Sequence, residues 1–208
     1  MYRPQADTWL LMRAMREARL PAGARVLEVC TGTGALAIAA VRGGASSVTA
    51  VDRYRPAVLS ARFNTRGLPV EVRHGDLSQA IEGAPFDVVL ANPPYVPCES
   101  AEDPDGAALA WDAGEDGRKH LDCLCGKAYD LLTTGGTMLL VHSALCGVRQ
   151  TVEALRDEGL KTSVVARAIE PFGPVLHGRI DFLERTGLIA PGQRHEELVV
   201  IRADRTER

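Results

Sequence analysis

The chain has little that would suit a membrane, an oxidising compartment or tight binding of nucleic acid. No apolar run approaches the roughly 20 residues of a membrane-spanning helix, and the opening residues lack the apolar stretch of a secretory signal. These absences predict a cytoplasmic protein. Lys and Arg number 24 against 27 Asp and Glu, for a formal net charge of -3. Avid nucleic-acid binding rests on clustered cations that neutralise phosphates, so this balance disfavours it while leaving a local basic face open. The five cysteines, at 30, 98, 123, 125 and 146, are odd in number and scattered. Only Cys123 and Cys125 are close, and their one-residue gap is not that of a zinc knuckle or a redox pair. They are read as small core residues on a helix, reduced, with no metal and no disulfide. His74, His142, His177 and His195 are dispersed and are assigned to structural or surface places.

What is present is ordinary in bulk and ordered in pattern. With 46% apolar and 25% charged residues, a chain of 208 suits one soluble domain with a full core. Apolar runs at 25–29, 47–51, 70–74, 86–91, 137–142, 163–169 and 198–202 predict strands. Helix-period segments at 35–42, 56–66, 119–132 and 148–158 lie between them, and a further helix at 7–18 precedes the first strand. Such alternation implies an α/β fold: a seven-stranded, mostly parallel sheet with helices on both faces. Two stretches interrupt it. Residues 93–118 are rich in Pro, Gly and acids, and residues 171–196 form an insertion between the last two strands. Loops of that length in a compact domain tend to carry function.

The first strand runs into Cys30-Thr31-Gly32-Thr33-Gly34, a turn whose glycines let backbone approach a ligand closely. Glu28 precedes the turn. Asp52 ends the second strand about twenty residues later, where an acid accepts hydrogen bonds from a ribose diol. Asp76 follows the third strand. Three acids at the carboxyl ends of three successive parallel strands converge on the crevice where open α/β sheets bind ligands. That rim would repel a pyrophosphate, and the turn lacks the third glycine of the dinucleotide fingerprint. S-adenosylmethionine, with its sulfonium and ammonium groups, suits it. Each acid also has a plainer use, capping the helix that follows or solvating a loop. Thr31, Gly32, Gly34 and Arg53 complete the candidate cofactor set.

The fourth strand ends in Asn92-Pro93-Pro94-Tyr95. Two prolines could simply end a strand, with Tyr95 packed in the core. The chemistry offers more. An amide or adenine NH2 has a delocalised lone pair and attacks poorly. The Asn92 side-chain oxygen and the Pro93 carbonyl are acceptors for its two N–H groups, and rigid prolines fix their positions. Tyr95 is expected to stack on the planar acceptor. Alignment then carries most of the catalysis. Asp87 is assigned to the strand start rather than to chemistry. Trp111 either shapes the acceptor groove or anchors its loop.

With these residues, the chain resembles the HemK family of protein glutamine N5-methyltransferases, in its short branch without a separate N-terminal helical domain. The resemblance covers about residues 2–170. It includes Tyr2-x-Pro4-x-x-Asp7-Thr8-x-Leu10-Leu11, the Glu28 turn, Asp52, Asp76-Leu77, the Asn92–Tyr95 tetrapeptide and Ala110-Trp111-x-x-Gly114-x-x-Gly117-Arg118. It implies a Rossmann-like class I methyltransferase acting on the Gln of a Gly-Gly-Gln motif in a translation termination factor. It also implies cofactor contacts from Thr8, Glu28, Cys30, Asp52, Asp76, Leu77 and Asn92. Two departures stand out. Cys30 occupies a position usually held by Gly and is expected to sit there without a positive φ. The 171–196 insertion exceeds the corresponding connection in the short branch, where eukaryotic members work with a small zinc-binding activator subunit. Adenine-N6 methylation of DNA or RNA, protein lysine methylation and a catalytically silent binding subunit remain as rival readings.

Overall fold

The computed structural model describes residues 4–19, 21–76, 83, 85–99 and 106–207. Seven strands form one sheet: β1 (Arg25–Val29), β2 (Ser47–Asp52), β3 (Val70–His74), β4 (Phe86–Ala91), β5 (Leu132–Ser143), β6 (Lys161–Pro171) and β7 (His195–Asp204). Their order is β3-β2-β1-β4-β5-β7-β6. The pairs from β3 across to β5 are parallel, and β7 lies antiparallel between β5 and β6. The expected mostly parallel sheet is therefore present.

The apolar composition of the central strands explains their position. Val26, Leu27, Val88, Val89, Leu90, Leu139 and Leu140 are almost wholly buried. Strands so apolar need cover on both faces, and each such side chain contributes about 1.5–3 kcal/mol by leaving water. Helix α1 (Ala6–Glu17) packs on β5, β6 and β7 and touches α2 (Ala35–Arg42). Helix α3 (Arg55–Asn64) packs on β2 and β3. Helices α4 (Lys119–Cys125) and α6 (Val148–Asp157) pack against each other, with α6 on β6 and β7. A short α5 (Ala128–Leu131) lies between α4 and β5.

From β1 the chain winds one way to β3, then returns to place β4 on the other side of β1. Such a reversal opens a crevice at the carboxyl ends of the two strands. The acids and the tetrapeptide all sit at that edge.

Three expectations change. The helix expected over 119–132 is two helices, because Gly126 caps α4 and Lys127 starts a new turn. Strand β5 begins at Leu132 rather than 137, pairing with Phe86 before its register shifts, with Gly135 at φ +82°. Residues 133–136 form an irregularity between the Phe86–Leu132 pair and the regular ladder that starts at Val88 and Thr137. Cys125 is buried as expected, but Cys123 is exposed. The 172–194 connection folds into α7 (Pro174–His177) and α8 (Ile180–Arg185). Phe172, Leu176, Phe182, Leu183 and Ile189 form a second small core there, packed on Val96 and Leu145.

Candidate active site

The glycine turn after β1 is held in shape by the acids on either side of it. Glu28 Oε2 accepts from Thr31 Oγ1 at 2.6 Å and from the Ala37 amide at 2.9 Å, in the first turn of α2. It thus caps that helix from the strand beneath it. Burial pushes its carboxyl up to about 8, against the pull of these hydrogen bonds. Asp52 accepts from the Gly32 amide through Oδ2 and the Tyr54 amide through Oδ1, both at 2.8 Å. Burial raises its pKa, with those two bonds opposing. Both acids therefore splint the loop that they border, and both line the cavity beside it.

Cys30 has φ +60°, so the expectation of an unstrained residue does not hold. A side chain in that region meets its own backbone, which is why glycine is usual there. Gly34, at φ +80°, has a second constraint: a Cβ would lie 3.1 Å from Thr65 Cγ2 on the neighbouring helix.

A cavity of about 530 Å³ opens between this turn and the tetrapeptide. Ligand clefts for drug-sized molecules fall in this range. Its walls include Thr8, Thr31, Arg53, Asp76, Asn92 and Pro93. Leu77, expected to join them, lies outside the described residues. Helix α4 contributes Lys119, His120, Cys123 and Leu124, and Lys127 just beyond it joins them; the sequence pattern assigned none of the five to the site. Their helical spacing would have shown that they share a face, but only the fold shows that the face is turned to the site.

The tetrapeptide is gripped from three sides. Asn92 Nδ2 donates to Thr8 Oγ1 at 3.3 Å, and the Tyr95 hydroxyl donates to Asp7 Oδ2 at 3.0 Å. The Cys146 thiol donates to the Tyr95 carbonyl at 3.0 Å. Val96 donates to the Trp111 carbonyl and accepts from the Ala113 amide. Tyr95 is buried in the main core and does not line the cavity, so its ring is a packed support here rather than an open stacking surface. Half-buried Trp111 is likewise outside the lining and holds the loop through its backbone.

Buried Arg118 fastens the segment from below. Its guanidinium donates to the carbonyls of Cys146 and Gly147, to Thr151 Oγ1 at 3.0 Å and to Asp122 Oδ1 at 2.6 Å. Asp87, near the strand start, ties neighbouring segments together by accepting from the Arg25 amide and the Thr133 hydroxyl. His142 is buried in β5, where desolvation lowers its pKa to about 4. His74, His177 and His195 are exposed.

The family model described as the methyltransferase small domain matches residues 4–168. A Methanocaldococcus jannaschii protein, whose name assigns it to the protein N5-glutamine methyltransferases, is 33% identical over 175 residues, covering 83% of this chain and 87% of its own. The chain belongs to the small-domain methyltransferases, on their glutamine N5-methyltransferase branch. The release factor glutamine methyltransferase of Deinococcus radiodurans is 40% identical over 151 residues, covering 66% of this methyltransferase. That of Mycolicibacterium smegmatis is 34% identical over 174 residues. The chain spans only 52% and 61% of the length of these two bacterial enzymes. A chain from the E. cuniculi Mtq2–Trm112 complex, responsible for methylation of the eRF1 translation termination factor, superposes with a TM-score of 0.66 at 21% identity. It covers 99% of this methyltransferase and 98% of its own chain, a likeness of fold. Among the described residues no helix is long and apolar enough to cross a membrane.

Proposed function

We propose that this methyltransferase transfers a methyl group from S-adenosylmethionine to the side-chain amide nitrogen of a protein glutamine, in the Gly-Gly-Gln loop of a translation termination factor. The observation that carries the reading is the placement of Asn92 and Pro93 on the wall of a cavity that Glu28, Asp52 and Asp76 also line. The names of the relatives from M. jannaschii and D. radiodurans direct it to glutamine.

The residues fit the cofactor. Buried Glu28, half-buried Asp52 and exposed Asp76 suit a ligand bearing ammonium and sulfonium groups, and the cavity has the volume for it. Asp52 is positioned for the ribose hydroxyls, Glu28 and Asp76 for the remaining polar groups, and the Gly32–Gly34 backbone for close approach. Arg53 and Thr31 close the rim. When bound, the cofactor supplies an electrophilic methyl group on sulfur. The protein does the rest by placement. Asn92 Oδ1 and the Pro93 carbonyl accept the two N–H groups of the acceptor amide, fix its plane and favour positive charge on nitrogen as it attacks. No strong base is needed when attack precedes proton loss, so the rate gain comes chiefly from alignment.

The test is a methyl-transfer assay with labelled cofactor, offering a termination factor, DNA, RNA and a lysine-rich peptide side by side. Mass spectrometry is expected to find one methyl on the Gln of Gly-Gly-Gln. Label confined to adenine or to lysine, with the factor untouched, overturns the acceptor assignment.

A further inference from the structure

Helix α1 supplies two polar side chains, Asp7 and Thr8, that are almost fully buried although they face the sheet rather than water. A surface helix buries such groups only when something in the interior needs them. What they meet is the catalytic tetrapeptide. Asp7 Oδ1 accepts from the Thr8 amide at 2.6 Å and from Thr8 Oγ1 at 3.2 Å. Thr8 has then used its hydroxyl proton, so toward Asn92 it is an acceptor, and Asn92 Nδ2 donates to it at 3.3 Å. The second carboxylate oxygen, Oδ2, accepts from the Tyr95 hydroxyl at 3.0 Å. One carboxylate thus reaches both ends of the tetrapeptide, across 84 and 88 residues of chain.

The direction of these bonds has a chemical consequence. An Asn side chain has one accepting and one donating end, of nearly the same shape. Rotation by a half-turn would present NH2 to the NH2 of the acceptor and leave one of its two N–H groups without an acceptor, with only the Pro93 carbonyl remaining. Because Asp7 orients the Thr8 hydroxyl, and Thr8 takes the Asn92 amide NH2, Oδ1 is the end left for the cavity. We propose that Asp7 and Thr8 are positioning residues that set the polarity of the Asn92 amide, with Tyr95 as the latch holding its loop to the same carboxylate. The inference rests on the acceptor being an NH2 group, as in the proposed function. It gives Thr8 a role through Asn92, where the family resemblance implies a cofactor contact.

The test compares wild type with Thr8→Val, which keeps the shape and loses the hydroxyl, and Thr8→Ser, which restores it. Three readouts are taken on the full chain: kcat and KM for the acceptor, affinity for S-adenosylmethionine by calorimetry, and the Asn92 side-chain NH2 resonance by NMR. For Thr8→Val we expect kcat to fall about tenfold or more, cofactor affinity to hold within about twofold, and the resonance to shift, with Thr8→Ser near wild type on all three. Cofactor affinity falling while kcat holds makes Thr8 a ligand contact and overturns the relay. An unshifted Asn92 resonance with full activity also overturns it. If wild type leaves glutamine unmodified, the acceptor assignment fails by itself. The relay is then judged by the resonance, which needs no acceptor.

Discussion

The Cys146 thiol donates to the carbonyl oxygen of Tyr95 at 3.0 Å, joining the turn after β5 to the last residue of the Asn92–Tyr95 tetrapeptide. Gly117 fills the space beside that bond. A Cβ on Gly117 would lie 2.4 Å from the Tyr95 oxygen and 2.8 Å from the Cys146 sulfur, at a φ of +73°. Neither neighbour is the far end of a flexible side chain. Gly117→Ala is therefore expected to push the tetrapeptide out of register, lowering kcat about a hundredfold or more. Cofactor affinity should be much less affected, because Gly117 is absent from the cavity wall. Steady-state kinetics with calorimetry checks this, and an Ala variant with wild-type kcat would remove Gly117 from the account.

Cys30 makes a prediction about stability. At φ +60° it carries backbone strain of about 1–2 kcal/mol that glycine would not. Its side chain is only partly buried, so truncation forfeits little packing. Cys30→Gly is expected to match or exceed wild-type stability in urea unfolding. Cys30→Val, branched at Cβ, should lose a further ~1–2 kcal/mol. Equal midpoints for the two variants would show that the strain is relieved elsewhere.

Glu196 should make stability depend on pH. It is buried at the start of β7, and Oε2 has no hydrogen-bond partner among the described residues. Burial first, with Asp7 and Glu170 adding repulsion and Ser143 opposing, raises its pKa from 4.5 to about 7. The folded state then keeps a proton that the unfolded chain releases, so stability falls as pH rises from about 4.5 to about 7. Glu196→Gln never ionises. It should be more stable than wild type at pH 8 by an amount on the order of 1–3 kcal/mol, and equal to it near pH 4.5. Urea midpoints at the two pH values test the sign.

Much of this architecture is readable from the chain because local pattern and global fold agree there. Strands β1 to β4 are short and bounded by turn residues, and the acids mark the carboxyl ends of the first three. The tetrapeptide carries its own chemistry in its residue types. What escapes is whatever depends on long-range approach. The Tyr95 ring looks available for stacking until Asp7, 88 residues away, is seen to hold its hydroxyl. Lys119 and His120 become part of the cavity only because α4 turns that face to it. Arg118 is buried because the fold brings it to the Cys146 and Gly147 carbonyls, which lie far along the chain. The 171–196 insertion announces itself by length, whereas its second core against Val96 depends on where β6 and β7 end.

Asp52 joins two of these levels, since its offset from the turn marks it in sequence and its bonds give it a second use in the fold. Each oxygen accepts a backbone N–H, Gly32 on one side and Tyr54 on the other. Asp52→Asn keeps one acceptor and sets an NH2 against the other N–H, so the turn must shift or lose a bond. Removing the charge also weakens the acidic rim. Affinity for S-adenosylmethionine is expected to fall about tenfold to a hundredfold. At saturating cofactor kcat should largely recover, because Asn92 and Pro93 are held by α1 and the Gly117 segment rather than by this acid. Calorimetry at neutral pH gives the first quantity and kinetics the second. Unchanged affinity would limit Asp52 to bracing the loop, and a kcat that stays low at saturation would mean that the turn and the tetrapeptide move together.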